Sequence, residues 1–148
     1  MNDVRSFDLP GSEDGMRAAR ARFDAFWSAQ GLPPEAAWPF QVALDEVLSN
    51  IVKYGGRGPE APPRIELTVS RAGEHVEILV LDDAGPFNPL EQAPPSTAEP
   101  LETRRVGGLG IALVRRLMDV VEYERVDERN RLRMSARVSS SGPHPGEE

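Results

Sequence analysis

The chain has 148 residues, enough for one domain that buries about two thirds of its unfolded surface. Its 17 basic and 24 acidic residues give a net charge of −7, which argues against a sequence-independent grip on nucleic acid or on an anionic membrane and leaves a basic protein partner open. It has no cysteine and two histidines, so disulfides, thiolate metal sites and cysteine nucleophiles are excluded and a His-rich zinc site is disfavoured.

At the N-terminus, Met1-Asn2-Asp3-Val4-Arg5 does not read as a secretory signal, and no apolar run approaches the roughly 18 residues of a membrane span. The expectation is a cytoplasmic protein. Ser6-Phe7-Asp8-Leu9 alternates polar and apolar residues and predicts a short edge strand ended by Pro10-Gly11. Ser12 can cap a helix in which Met16, Ala19, Phe23, Phe26 and Trp27 keep helical spacing through Gln30, and Gly31 closes it. That stripe reads as core. Leu32-Pro33-Pro34-Glu35 is a connector, its proline suited to the first turn of the next helix.

In the next helix Phe40, Leu44, Val47, Leu48 and Ile51 form an apolar stripe, with Glu46, Asn50 and Lys53 on the opposite side. Gly55-Gly56 supplies the stop. A carboxylate and an amide at i and i+4 share a face and can hold a water, a metal ion or a substrate hydroxyl. On spacing alone, a solvated polar face is the commoner meaning.

Gly58 to Pro63 is a loop, and Arg64 to Ser70 alternates around Ile65, Leu67 and Val69. A hairpin turn over Arg71-Ala72-Gly73-Glu74 leads into a strand from His75 to Leu81. Glu77 between apolar neighbours implies that Val76, Ile78 and Val80 face the core, and the same alternation turns Asp82 inward just beyond the strand. From Pro86 to about Arg105 there is no convincing periodicity, and Pro86, Pro89, Pro94, Pro95 and Pro100 interrupt the chain. Such a stretch is a disordered loop or a lid, taken as residues 88–106. Gly107-Gly108-Leu109-Gly110 then opens a helix with Leu113, Val114, Leu117 and Met118 on its apolar side. Two last strands fit Val120 to Val126 and Leu132, Met134, Ala136 and Val138, joined at Asp127-Glu128-Arg129-Asn130. The domain is expected over 1–138, with 139–148 a disordered tail.

Three polar features stand in order: Glu46 and Asn50 on one helix, Asp82-Asp83-Ala84-Gly85 after a strand, and the glycine run before a helix. Paired aspartates after a strand usually form a solvated turn, but a desolvated one can accept a hydrogen bond from an adenine amino group. Glycines before a helix serve tight packing, or bring backbone N–H groups against phosphate. Arg104 and Arg105 are lid surface, or guanidinium groups within reach of a terminal phosphate.

Together these residues resemble the GHKL nucleotide-binding family, the Bergerat-fold ATPases and kinases that include gyrase and histidine-kinase catalytic domains. The match is strongest to the small bacterial anti-sigma-factor serine/threonine kinases. Ala43 to Asn50 is similar to the N-box, which implies Asn50 as a Mg²⁺ ligand and Glu46 as general base. Leu81-Asp82-Asp83-Ala84-Gly85-Pro86-Phe87-Asn88-Pro89-Leu90 is similar to the adenine-binding G1 box, and Gly107, Gly108, Leu109, Gly110 and Ile111 to the phosphate-binding G2 box. The similarity continues through Arg115-Arg116-Leu117-Met118-Asp119 and Tyr123. Read literally, the family's Asp-x-Gly selects Asp83 and Gly85. A gapless match through Pro-Phe-Asn-Pro-Leu selects Asp82 and sets Ala84 in the glycine's place; strand phase favours this choice and leaves Asp83 as runner-up.

The resemblance implies an α/β two-layer sandwich with a mixed, largely antiparallel sheet and helices on one face. It implies ATP and Mg²⁺ as cofactors, and a protein serine/threonine kinase that sequesters a sigma factor and phosphorylates a STAS-domain anti-anti-sigma antagonist. A homodimer is implied in the same way, and neither nucleic acid nor membrane is an expected partner. The alternative is an ATP-binding regulatory module without turnover, against which the presence of Glu46 speaks mildly. A histidine-kinase catalytic domain fits less well, because neither His75 in a hairpin nor His144 in the tail suits a phospho-acceptor on a helix.

Overall fold

The computed structural model describes residues 3–54, 62–91 and 106–139. Strand β1 (Asp3–Pro10) is followed by helix α1 (Glu13–Ala29). Ser12 caps α1, its Oγ accepting from the Gly15 N–H at 3.2 Å, with Glu13 and Asp14 at the positive end of the helix dipole. Gly15 is obligatory there: a Cβ would lie 1.7 Å from the Pro10 carbonyl oxygen. Gly31, at φ +68°, turns the chain out of the helix.

Pro34 does not open the next helix. It starts a separate 3-10 turn, Pro34–Ala36, and helix α2 (Trp38–Tyr54) carries Pro39 in its first turn instead. The turn is tied back to α1 by the Trp27 indole N–H, which donates to the Pro33 carbonyl at 2.8 Å. Trp27, Phe23 and Phe40 form one aromatic cluster with centroids 5.2 to 6.4 Å apart. Arg20 adds a 2.8 Å link to Asp45, fixing α2 against α1.

Strands β2 (Arg64–Ala72), β3 (His75–Asp82), β4 (Val120–Val126) and β5 (Arg129–Arg137) complete a five-stranded sheet of order β1-β2-β3-β5-β4. All four strand pairs are antiparallel, where a partly mixed sheet was expected. Both hairpins are tighter than the sequence indicated. Ala72 pairs with His75 around Gly73-Glu74, and Val126 pairs with Arg129 around Asp127-Glu128, whose φ values are 53° and 62°. Strands β3 and β4 run the same way with β5 between them, so helix α3 (Val106–Leu117) is the crossover.

One sheet face carries Ile65, Leu67, Val69, Val76, Ile78, Val80, Leu132, Met134 and Ala136, and joins Phe23, Phe40, Leu44, Leu48, Ile111 and Val114 of the helices in a single core. The other face carries ion pairs centred on Arg133. The register sets Asp82 beside both Ile65 and Asn130, and Asn130 beside Arg125. Asp82 is therefore the last paired residue of β3 and does not lie beyond it. In the stretch expected to be irregular, Pro89–Glu91 forms a 3-10 turn, held by Arg115, whose guanidinium donates to the Leu90 carbonyl at 3.2 Å. The helix stop at Gly55-Gly56, Arg104 and Arg105 in the lid, and residues 140–148 of the tail lie outside the described residues.

Candidate functional site

A cleft opens between α2 and the end of the sheet where β3 finishes and β5 begins. Its walls are largely apolar: Val47 and Ile51 from α2, Val80 and Leu132 from the sheet, Phe87 and Pro89 from the segment after β3. Four polar side chains enter it, those of Asn50, Asp82, Tyr123 and Asn130. An apolar cleft with a few convergent polar groups has the composition of a small-molecule site.

Helix α2 delivers Asn50, which is 5 % exposed. Spacing had set Asn50 opposite the apolar stripe with Lys53; Lys53 is exposed and Asn50 is not. Asn50 lies at i+3 from Val47 as well as i+4 from Glu46, so it sits on the margin of the apolar stripe and turns into the cleft with Val47 and Ile51. Its amide has no side-chain hydrogen bond among the described residues. Glu46, one turn earlier, is half-buried. Its carboxylate, too, has no partner among them.

The two aspartates separate cleanly. Asp82 is 5 % exposed and lines the cleft; its Oδ1 accepts from the Ala84 N–H at 3.0 Å and from Asn130 Nδ2 at 2.9 Å. Oδ2 has no partner among the described residues. Burial pushes the Asp82 carboxyl above the usual carboxylate range, against the opposing effect of the hydrogen bonds from Asn130 and Ala84. Asp83 is exposed, and its Oδ1 accepts from the Arg64 N–H at 2.8 Å while its own N–H donates to the Arg64 carbonyl at 3.3 Å. It closes the β2–β3 ladder. Ala84 is buried but does not line the cleft, and neither Ala84 nor Gly85 has a positive φ, so nothing in the backbone requires glycine at 84.

The glycine run lies inside α3, which already begins at Val106. Gly107, Gly108 and Leu109 thus belong to the first helical turn, whose N–H groups have no partner within a helix and suit an anion, with Gly110 immediately after. Helix α3 packs on α2 and on the Pro89–Glu91 turn.

Asn130, Tyr123 and Arg125 were not singled out as site residues from the sequence. The longer turn assumed at Asp127 to Asn130 hid Asn130, although 130, 132, 134 and 136 share strand phase. Among the described residues no group of three or more His, Asp or Glu is placed to hold a metal ion. A hard cation here would draw on the Asn50 carbonyl, ligand oxygens and water, a donor set that suits Mg²⁺.

The profile of the family described as "Histidine kinase-like ATPase domain" matches residues 9–136. The chain is 28 % identical to the serine/threonine-protein kinase BtrW of Bordetella bronchiseptica over 110 residues, covering 74 % of this chain and 73 % of that one. It is 29 % identical to the serine-protein kinase RsbW of Listeria monocytogenes over 128 residues, covering 82 % and 80 %. A crystal structure of the RsbU and RsbW domains of a Mycobacterium tuberculosis protein superposes with a TM-score of 0.66 at 15 % identity over 92 % of this chain, which spans 32 % of that longer one; this likeness concerns the fold. No described helix is long and apolar enough to cross a membrane. With a match that runs from β1 through β5, the chain belongs to the histidine kinase-like ATPase domain family.

Proposed function

We propose that the protein binds ATP with Mg²⁺ in this cleft and acts in the cytoplasm as a protein serine/threonine kinase and anti-sigma factor. Its partners on this reading are a sigma factor, which it sequesters, and a STAS-domain anti-anti-sigma protein, which it phosphorylates on a hydroxyl. One observation supports the reading: Asn50 and Asp82, each buried, line the same apolar cleft, and among the described residues the Asn50 amide and Asp82 Oδ2 have no hydrogen-bond partner. Unspent polar capacity in a buried position is costly, and a ligand that supplies donors and oxygens offsets that cost. Names of relatives add support for the kinase class.

The roles assigned here are those that the family resemblance implies, and the chemistry of each residue is compatible with its role. Asp82 Oδ2 would accept the adenine 6-amino N–H, and Asn50 would offer its carbonyl oxygen to the metal. N–H groups of Gly107, Gly108 and Leu109, with Arg104 and Arg105, neutralise the phosphates. Bound ATP supplies the phosphoryl group and Mg²⁺ spreads its charge. Glu46, one turn from Asn50 and without a partner among the described residues, accepts the proton of the attacking hydroxyl.

Titration of the protein with ATP, with and without Mg²⁺, tests the binding claim, and transfer to a STAS-domain protein tests the chemistry. Asn50→Ala should abolish the gain in affinity that Mg²⁺ brings, while Glu46→Gln should bind ATP as the parent does and transfer phosphate slowly. Binding without transfer in both parent and Glu46→Gln would favour a regulatory ATP-binding module.

A further inference from the structure

Asn130 is buried at 5 % exposure, and every polar valence of its side chain is used inside the protein. Three donors converge on Oδ1: the Tyr123 hydroxyl at 2.5 Å, the Arg125 guanidinium at 3.2 Å and the Phe87 N–H at 3.3 Å. That convergence fixes which end of the amide is oxygen, because an NH₂ group there would face two groups that can only donate, the Arg125 guanidinium and the Phe87 N–H. Nδ2 must then point the other way, where it donates to Asp82 Oδ1 at 2.9 Å and to the Gly85 carbonyl at 2.9 Å. Arg125 completes the frame by donating to the Ala84 carbonyl at 2.8 Å. The residues after β3 are thus held from β4 and β5, with Asn130 touching both sides of the turn.

For Asp82 the consequence is asymmetric. Two donors occupy Oδ1, so the carboxylate cannot rotate partway without losing both, and Oδ2 is left without a partner among the described residues on a side chain that lines the cleft. We infer that Asn130, oriented by Tyr123 and Arg125, is a positioning residue that fixes the base-reading carboxylate of Asp82 and so sets the preference for a purine bearing a 6-amino group. With its own donors and acceptor occupied, Asn130 acts through Asp82 and not on the ligand. The inference rests on the nucleotide reading of the cleft.

Two ligands separate positioning from simple support of the fold: ATP, and purine riboside triphosphate, which lacks only the 6-amino group. The parent should prefer ATP by about ten- to hundredfold, the worth of a hydrogen bond to a charged acceptor. In Asn130→Ala the preference should shrink to within about threefold while affinity for purine riboside triphosphate is kept. Tyr123→Phe, which deletes one hydroxyl and keeps the ring, should shrink it in the same direction by less; it carries the test alone if Asn130→Ala does not fold. Equal losses for both ligands, or an unchanged preference in a folded variant, would overturn the positioning role. A parent that binds neither ligand would instead overturn the nucleotide reading.

Discussion

Strands β3, β4 and β5 carry two polar clusters of similar makeup on opposite faces, and burial makes them different objects. On the helix-covered face, Asp82 meets Asn130 and the Ala84 N–H, with Tyr123 and Arg125 behind. On the open face, Arg133 reaches Glu77 at 2.9 Å and Glu122 at 2.7 Å, flanked by Arg131 with Glu124 and Arg129 with Glu66. The open cluster pairs formal charges completely, yet water screens it and its worth is small. Among the described residues, the buried cluster holds one carboxylate without a cation at bonding distance and leaves its Oδ2 without a partner. Completeness of pairing is a mark of surface, and incompleteness under burial is a mark of a site.

The largest effect should come from the buried side. Asp82→Asn keeps an oxygen to accept from Ala84 and Asn130 but turns an NH₂ toward the ligand, so ATP affinity should fall by about ten- to hundredfold, or roughly 1.5–3 kcal/mol. Calorimetric titration reads this directly. A larger loss in Asp83→Asn would reverse the contrast, since Asp83 is an exposed strand clamp.

The same substitution should stabilise the nucleotide-free protein. Burial raises the folded-state pKa of Asp82 above its ordinary 3.8. Between those two values the native state binds more protons than the unfolded state, so this carboxyl makes stability fall as pH rises through the window, and its penalty is fully present above it. Thermal melts should show Asp82→Asn more stable than the parent at neutral pH, with the gap closing as pH falls from the raised folded-state value to the ordinary 3.8. A gap that widens on acidification would contradict the assigned cause.

Next in size is the loss of a partner. Asn130→Leu strands a buried carboxylate and the Tyr123 hydroxyl, and should cost on the order of 1–3 kcal/mol in denaturant unfolding. At the hairpin beside it, Glu128→Gly relieves a left-handed residue at φ 62° and should add about 1 kcal/mol. The smallest effect belongs to the open face: Arg133→Ala should change stability by less than about 1 kcal/mol and lose even that in high salt. A cost above that of Asn130→Leu would erase the distinction between the faces.

Much of this was legible in the sequence because period and burial agree there. Val76, Ile78 and Val80 set a phase that carries through to Asp82, and the buried structure follows it. Ser12 was readable as a cap because a hydroxyl three residues ahead of a free N–H is a local fact. Spacing alone set Asn50 opposite the apolar stripe, because a helix position between two stripes belongs to either, and only the sheet end opposite it decides which. Asn130 was lost to an assumed four-residue connection; the actual turn is two residues with positive φ at Asp127 and Glu128, which neither residue type advertises. The purely antiparallel sheet depends on β5 inserting between β3 and β4, a pairing between segments about fifty positions apart that no local pattern encodes.

The most direct test of the central claim is a crystal structure with a non-hydrolysable ATP analogue and Mg²⁺. The account predicts the adenine 6-amino group within hydrogen-bond distance of Asp82 Oδ2, the Asn50 side-chain oxygen on the metal, and the Asn130–Asp82 contact unchanged from 2.9 Å. A base seated against Asp83, or a nucleotide bound outside the cleft between α2 and the end of β3, would contradict it.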